Sequence, residues 1–142
     1  MKVFGKQVFV FVASIFGVAA IAADFDGSEP LMCSFGQVLE CDAGSDCRAV
    51  TNESVDAPDF IKLDFRRNQL VSLTAGEESS ADDMSVVDTT TYLVVQGVQG
   101  VGEGVVSTLG WSLSIDQANG QMVAAGAGEN AGFIIFGACT PI

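Results

Sequence analysis

Four cysteines, Cys33, Cys41, Cys47 and Cys139, carry the most specific chemistry in this chain. Thiols in such a set either form disulfides or bind a metal. A metal site needs closely spaced ligand clusters with histidine or further cysteine partners, and the chain contains no histidine. Of the three pairings that four cysteines allow, the spacing favours Cys41–Cys47, around a turn-rich loop, and Cys33–Cys139, which joins the first strand to the last.

Other catalytic arrangements find little support in the sequence. The absence of histidine excludes Ser-His-Asp and Cys-His arrangements, histidine bases and the usual catalytic zinc sites. Neither a nucleophile-elbow motif nor a phosphate-binding P-loop is present. Lys62 lies on the polar face of a predicted strand, so it is a poor candidate for Schiff-base chemistry. We therefore expect a protein that is not an enzyme and that uses no cofactor or metal.

Three weaker signals have both a functional and a structural interpretation. Asp24–Gly27 opens like a calcium loop but lacks the later ligands of that motif, which favours a flexible N-terminus. Gly97–Gly104 is glycine-rich but has no strand-to-helix context, which predicts a long hairpin loop with bulges. Trp111 and Tyr92 are candidates for lining a ligand cavity, although Trp111 begins an alternating strand and a core position is favoured.

The first 22 residues have the layout of a secretory signal peptide. A short basic start precedes the apolar run from Gln7 to Ile21, and Ala20–Ala22 forms an A-x-A cleavage site. The run is shorter than the roughly 20 residues that span a bilayer. We expect cleavage after Ala22 and a periplasmic or secreted mature chain, in which the cysteines can pair.

These boundaries divide the chain into three parts. Residues 1–22 form the predicted signal peptide, residues 23–30 a flexible mature N-terminus, and residues 31–142 a single disulfide-bonded β domain. A mature chain of 120 residues is one domain by length. No membrane span is expected after the signal is removed.

The chain is strongly acidic. It has 18 acidic and 6 basic residues, and the loss of Lys2 and Lys6 with the signal takes the formal net charge from −12 to −14. Such a charge repels nucleic acid and anionic lipid headgroups and attracts cationic partners. The partner stays unknown at this point: a cationic protein is one candidate, and acidity as a source of solubility is the alternative.

Alternating apolar and polar residues predict short strands throughout the mature chain. Ile61, Leu63 and Phe65 face a core in one hairpin, and Asn119-Gly120 is the strongest turn signal in another. The predicted strands are Leu31–Cys41, Arg48–Thr51, Ile61–Arg66, Gln69–Leu73, Ser85–Asp88, Thr91–Gln96, Trp111–Asp116, Gln121–Ala125 and Ala131–Ala138.

This pattern predicts an all-β fold behind a cleaved N-terminal signal helix. About eight short strands separated by turns favour an antiparallel meander, closed as a small barrel or packed as a sandwich. Closure is attractive because it removes strand edges that promote aggregation. The polar, acidic segment Gly76–Met84 is expected to be a mobile loop.

Several short motifs resemble those of a known group of proteins. Gly110–Asp116 with Gly120 matches a W-S-L-x-I-D hairpin, and Phe136–Pro141 matches a C-terminal F-G-x-C-T. Pro58–Ile61 and Leu93–Gly97 extend the similarity over most of the mature chain. The chain thus resembles a group of small uncharacterised exported β-rich proteins of Gram-negative bacteria. The resemblance implies a periplasmic β protein and carries over no catalytic or binding residue.

Three classes of function follow from these observations. The first is a non-catalytic binding or inhibitor-type module in the periplasm, such as a small β-barrel that blocks a cationic lytic enzyme. The second is a carrier that holds a small apolar ligand in a barrel mouth. The third, an enzyme, is the least supported. An open, lined cavity would favour the carrier, whereas a filled interior with a protruding acidic loop would favour the inhibitor.

Overall fold

The computed structural model describes residues 25–74, 77–82, 84–100 and 108–142. The predicted signal peptide and residues 101–104 of the glycine-rich segment 97–104 lie outside these ranges. Within them the fold is all-β, and one 3₁₀ turn, Glu53–Val55, is the only helical element. The strands of the described residues are β1 Leu31–Asp42, β2 Arg48–Val50, β3 Phe60–Asp64, β4 Gln69–Thr74, β5 Glu77–Asp82, β6 Ser85–Asp88, β7 Tyr92–Gln99, β8 Leu109–Asp116, β9 Gln121–Ala127 and β10 Ala131–Pro141. No helix in these ranges is long and apolar enough to span a bilayer.

The strands form one antiparallel sheet that follows chain order, as the sequence predicts. The sheet order is β5-β4-β3-β1-β10-β9-β8-β7-β6, and β2 pairs with the second half of β1. Pairing of β1 with β10 brings the first and last strands together over the full length of β1, interrupted by a bulge between Phe35 and Gln37. The meander is therefore closed at its chain ends and open at one seam, between β5 and β6.

That seam explains why the sheet curls. β5 and β6 are the two edges of the sheet, yet only residues 83 and 84 separate them in the chain. Three Cα–Cα steps span at most about 11 Å, so Asp82 and Ser85 must lie within that distance. The two edges are thereby brought together at this point, and the sheet is curled into a half-barrel.

Inward residues of the half-barrel form the hydrophobic core. Leu31, Leu63, Leu93, Ile115 and Met122 are almost completely buried and come from five different strands. Each lies at an alternating position of its strand, as expected when one face of a sheet is packed and the other is solvated. Burial of each such side chain contributes about 1.5–3 kcal/mol to folding.

Two disulfides join the described strands. Cys33 is bonded to Cys139 across the β1–β10 pair, and Cys41 is bonded to Cys47 around the loop that follows β1. This is the pairing that the sequence favours. Disulfides persist in oxidising compartments, so their presence indicates a protein that functions outside the reducing cytoplasm.

Two segments differ from the sequence-based expectation. Glu77–Asp82, within the expected mobile loop, is strand β5 and pairs with β4 over its whole length. Sheet pairing therefore overrides the low strand propensity of an acidic, serine-rich segment. β7 also continues through Gly97 to Gln99, where a loop was predicted, because it pairs with β8 as far as Leu109.

The N-terminal segment also departs from expectation. Residues 23–30 were predicted to be flexible, but Phe25 is buried with 7% of its surface exposed. Its ring lies against Gly120 in the β8–β9 turn, and the Ile142 N–H donates a 3.0 Å hydrogen bond to the Pro30 carbonyl. We call this end of the half-barrel, with Phe25 and the turn Gln117–Gly120, the closed end.

Candidate ligand-binding site

The opposite end of the half-barrel contains a cavity, and the sequence of two strands explains it. Inward residues of β7 run Leu93, Val95, Gly97 away from the closed end, and those of β9 run Met122, Ala124, Gly126. Side-chain volume therefore falls along both strands to a glycine, and on β7 Gln99 follows at the rim. We call this end, bounded by Gln99, Leu109 and the β9–β10 turn, the open end.

Trp111 lies on β8 between the two tapering strands. Its register partners are Gly97 on β7 and Gly126 on β9. The indole covers Gly97 so closely that a Cβ at that position would lie 2.6 Å from Cζ2 of Trp111. Glycine is thus required at residue 97 for the observed ring position, whereas a Cβ at residue 126 would make ordinary contacts with Leu109 from 3.4 Å.

The cavity at the open end has a volume of about 200 Å³. One wall is formed by Trp111, Leu113 and Ala124 with Phe133 and Ile135 of β10. The facing wall carries Phe35 of β1, Ile61 of β3, and Leu70 and Ser72 of β4. Most lining side chains are aliphatic or aromatic, which is the composition of sites that hold small apolar molecules.

A short connection between β2 and β3 completes the rim. Val55, Asp56, Ala57 and Pro58 line the cavity. The connection is held by its own hydrogen bonds, since the Asn52 carbonyl accepts from the N–H groups of residues 55 and 57 at 3.2 and 3.0 Å. The N–H of Phe35 donates to the Asp59 carbonyl at 3.0 Å and ties the end of the connection to the β1 bulge.

The ionisable groups with shifted pKa values lie at the closed end. The Thr90 N–H donates to Oδ1 of Asp88 at 2.7 Å, and Nε2 of Gln117 donates to the same oxygen at 2.7 Å. These bonds lower the pKa of Asp88. Bonds from Ser28 lower the pKa of Asp26 in the same way. Among the described residues, no group of three or more carboxylates, cysteines or histidines is arranged to hold a metal ion.

The two aromatic residues proposed as ligand-lining from the sequence have different positions. Trp111 is half-buried and lines the cavity. Tyr92 begins β7 at the closed end, is 46% exposed, and is not among the described residues that line the cavity. The remaining lining residues were not predicted from the sequence. Side-chain volume decreases along Leu93-Val95-Gly97 and Met122-Ala124-Gly126, and this pattern could have indicated the cavity.

Comparison with protein-family models, with curated proteins and with solved structures gives no match for this chain.

Proposed function

We propose that this protein binds a small apolar molecule in the cavity at the open end, and that it acts by binding and not by catalysis. The observation that carries the proposal is the taper of β7 and β9, which leaves an apolar, solvent-accessible space of about 200 Å³ beside Trp111. Concave sites with apolar linings and a few polar groups are the usual binding sites for small molecules.

The cavity volume sets the size of the ligand. Apolar cavities of about 150 Å³ in other proteins admit a benzene molecule, and drug-sized sites start near 300 Å³. A space of about 200 Å³ fits one or two fused rings or a medium-length alkyl chain. Ligands of roughly ten non-hydrogen atoms bind with micromolar dissociation constants when each atom contributes well below the ceiling of about 1.5 kcal/mol.

The direct test is to fill the cavity and measure binding. Gly126→Val extends a side chain from an inward position where a Cβ would meet Leu109 at 3.4 Å, which is ordinary van der Waals contact. We expect the variant to fold and to bind the uncharged fluorescent probe N-phenyl-1-naphthylamine, whose naphthalene ring system matches the cavity volume while its phenyl ring extends through the opening, at least roughly tenfold more weakly, because the apolar volume is occupied.

Gly110→Val provides the matched control. Gly110 precedes Trp111 on β8 and pairs with Ala127 of β9, so it lies on the other face of the sheet, and a Cβ there meets nothing within 4 Å. The same substitution at residue 110 should leave probe affinity unchanged. If wild type does not bind the probe, or if both variants bind it as well as wild type does, the proposal is wrong.

The proposed location is outside the cytoplasm, with residues 1–22 removed as a signal peptide. Support comes from the order of basic, apolar and A-x-A segments and from the two disulfides. Expression of the full chain in a Gram-negative host should give a periplasmic product whose N-terminus, by mass spectrometry, is Ala23 or within one or two residues of it. Retention of Met1 on the folded protein would contradict this proposal.

A filled interior with a protruding acidic loop was the observation expected to favour the inhibitor-type hypothesis, whereas Glu77–Asp82 is a paired strand of the sheet. An open cavity was the observation expected to favour a carrier of a small apolar ligand, so we prefer the carrier.

A further inference from the structure

The wall of the open-end cavity carries no positive charge among the described residues. Asp56 is the one residue with a formal charge among the described residues that line the cavity. It is exposed at the rim, with a left-handed backbone conformation of φ 52° and ψ 28°. A ligand in the cavity therefore meets apolar groups, a few neutral polar groups and one carboxylate.

The basic residues of the described chain are committed elsewhere. Arg48 pairs with Glu40 and Asp42, Arg66 with Glu29, and Arg67 with Asp64. Lys62 alternates with the buried residues Ile61 and Leu63 on β3, so it lies on the outer face of the sheet. None of the four lines the cavity.

An anionic ligand would thus be penalised twice. Its charged group would lie near the Asp56 carboxylate with no cationic partner among the described lining residues, and it would approach a protein whose formal net charge is −12 or lower. A cationic group is favoured on both counts, because the field attracts it and it can remain in water beside Asp56. The faces of Trp111 and Phe35 are also attractive to a cation.

We infer that the cavity selects uncharged and cationic apolar molecules and rejects anionic amphiphiles such as fatty acids. This inference rests on the proposed function and specifies its ligand class. It distinguishes the protein from carriers that anchor a fatty-acid carboxylate with a buried arginine or lysine.

Competition within a matched ligand series tests the inference. Nonylamine, nonanol and nonanoate share a nine-carbon chain and are positive, neutral and negative at neutral pH. Each is used to displace N-phenyl-1-naphthylamine from the mature protein. At about 10 mM salt we expect nonanoate to bind at least roughly tenfold more weakly than nonanol, and nonylamine to bind at least as tightly as nonanol. Raising the salt to about 1 M should narrow the difference between amine and carboxylate.

Asp56→Asn tests how much the Asp56 carboxylate contributes to the preference for a cationic ligand. Asparagine tolerates the left-handed conformation almost as well as aspartate does, so the backbone of the rim should be retained. The preference for nonylamine over nonanol should fall by about two- to threefold. Glu29→Gln removes the same charge at the closed end, from a group that pairs with Arg66 at 3.5 Å, and should leave the preference unchanged.

The outcomes separate the two proposals. If N-phenyl-1-naphthylamine and nonanol both fail to bind, the proposed function is wrong. If they bind and nonanoate binds as well as nonylamine, the proposed function stands and the inference on ligand charge is overturned. If Glu29→Gln reduces the amine preference as much as Asp56→Asn does, the assignment of Asp56 is overturned.

Discussion

Single glycines decide how closely the strands approach one another. Gly137 lies at an inward position of β10, where a Cβ would lie 2.1 Å from the carbonyl oxygen of Ser34 and 2.8 Å from Cε of Met122. Because the first contact is with backbone, a side chain can enter only if β1 and β10 move apart. Gly137→Ala should therefore lower the free energy of unfolding by about 3 kcal/mol, measured by urea denaturation.

Gly110→Ala is the comparison for this prediction. Both glycines lie in strands, but a Cβ at residue 110 meets nothing within 4 Å. Removing the extra backbone freedom of glycine should leave stability unchanged or raise it by about 0.5–1 kcal/mol. Equal destabilisation by both alanines would show that strand propensity, and not the contact with Ser34, is responsible.

The carboxylate of Asp88, at the closed end, should contribute to folding stability, and this contribution should be lost at acid pH. The bonds from Thr90 and Gln117 stabilise its carboxylate and lower its pKa below the ordinary value of 3.8. A depressed folded-state pKa contributes stability that is present above the unfolded pKa and is lost as pH falls through the folded one. The urea midpoint of Asp88→Asn should therefore lie below that of wild type at neutral pH, and the two should converge as the pH falls below 3.8 and through the lowered pKa of Asp88. Asp46→Asn, at an exposed loop position, controls for the change in net charge.

At the scale of the strands, periodicity identified most elements because one face of the sheet is buried. Ile61 and Leu63 alternate with polar residues, and they are buried as predicted. β5 was missed because its pattern, Glu77–Asp82, has no apolar alternation, and pairing with β4 specifies it instead. The cavity was missed for a related reason: it arises from what Gly97 and Gly126 lack, and alternation reports only the side chains that are present.

The two disulfides should stabilise the sheet unequally. Cys33–Cys139 closes a sequence separation of 106 residues, and Cys41–Cys47 closes one of 6. On the chain-entropy model these loops are worth about 4.7 and about 2 kcal/mol. Each pair is replaced by two alanines, and the free energy of unfolding is measured with urea. It should fall more when Cys33 and Cys139 are replaced, and the burial of these two residues adds to the effect. A larger loss of stability on replacing Cys41 and Cys47 would mean that the β1–β2 loop stabilises the fold more than the link between β1 and β10 does.

The whole molecule is a half-barrel with two unlike ends. At the closed end, β8 and β9 turn tightly at Gln117–Gly120, Phe25 fills the interior, and large side chains occupy the inward positions. At the open end the inward positions of β7 and β9 include Gly97 and Gly126, and the cavity opens beside Trp111. This difference between the ends implies that packing at the closed end can be changed without affecting ligand binding at the open end.

Phe25 allows that separation to be tested. Its ring packs on Gly120 so closely that a Cβ at residue 120 would lie 2.4 Å from Cε1 of Phe25. Phe25→Ala should lower the free energy of unfolding by about 3–5 kcal/mol, whereas Phe60→Ala, at a position that is 47% exposed, should change it by less than about 1 kcal/mol. Where the Phe25 variant is still folded, its affinity for N-phenyl-1-naphthylamine should equal that of wild type, because the cavity lies at the other end. A clear change of affinity in the folded variant would mean that ligands enter or bind at the closed end, and the assignment of the two ends would have to be reversed.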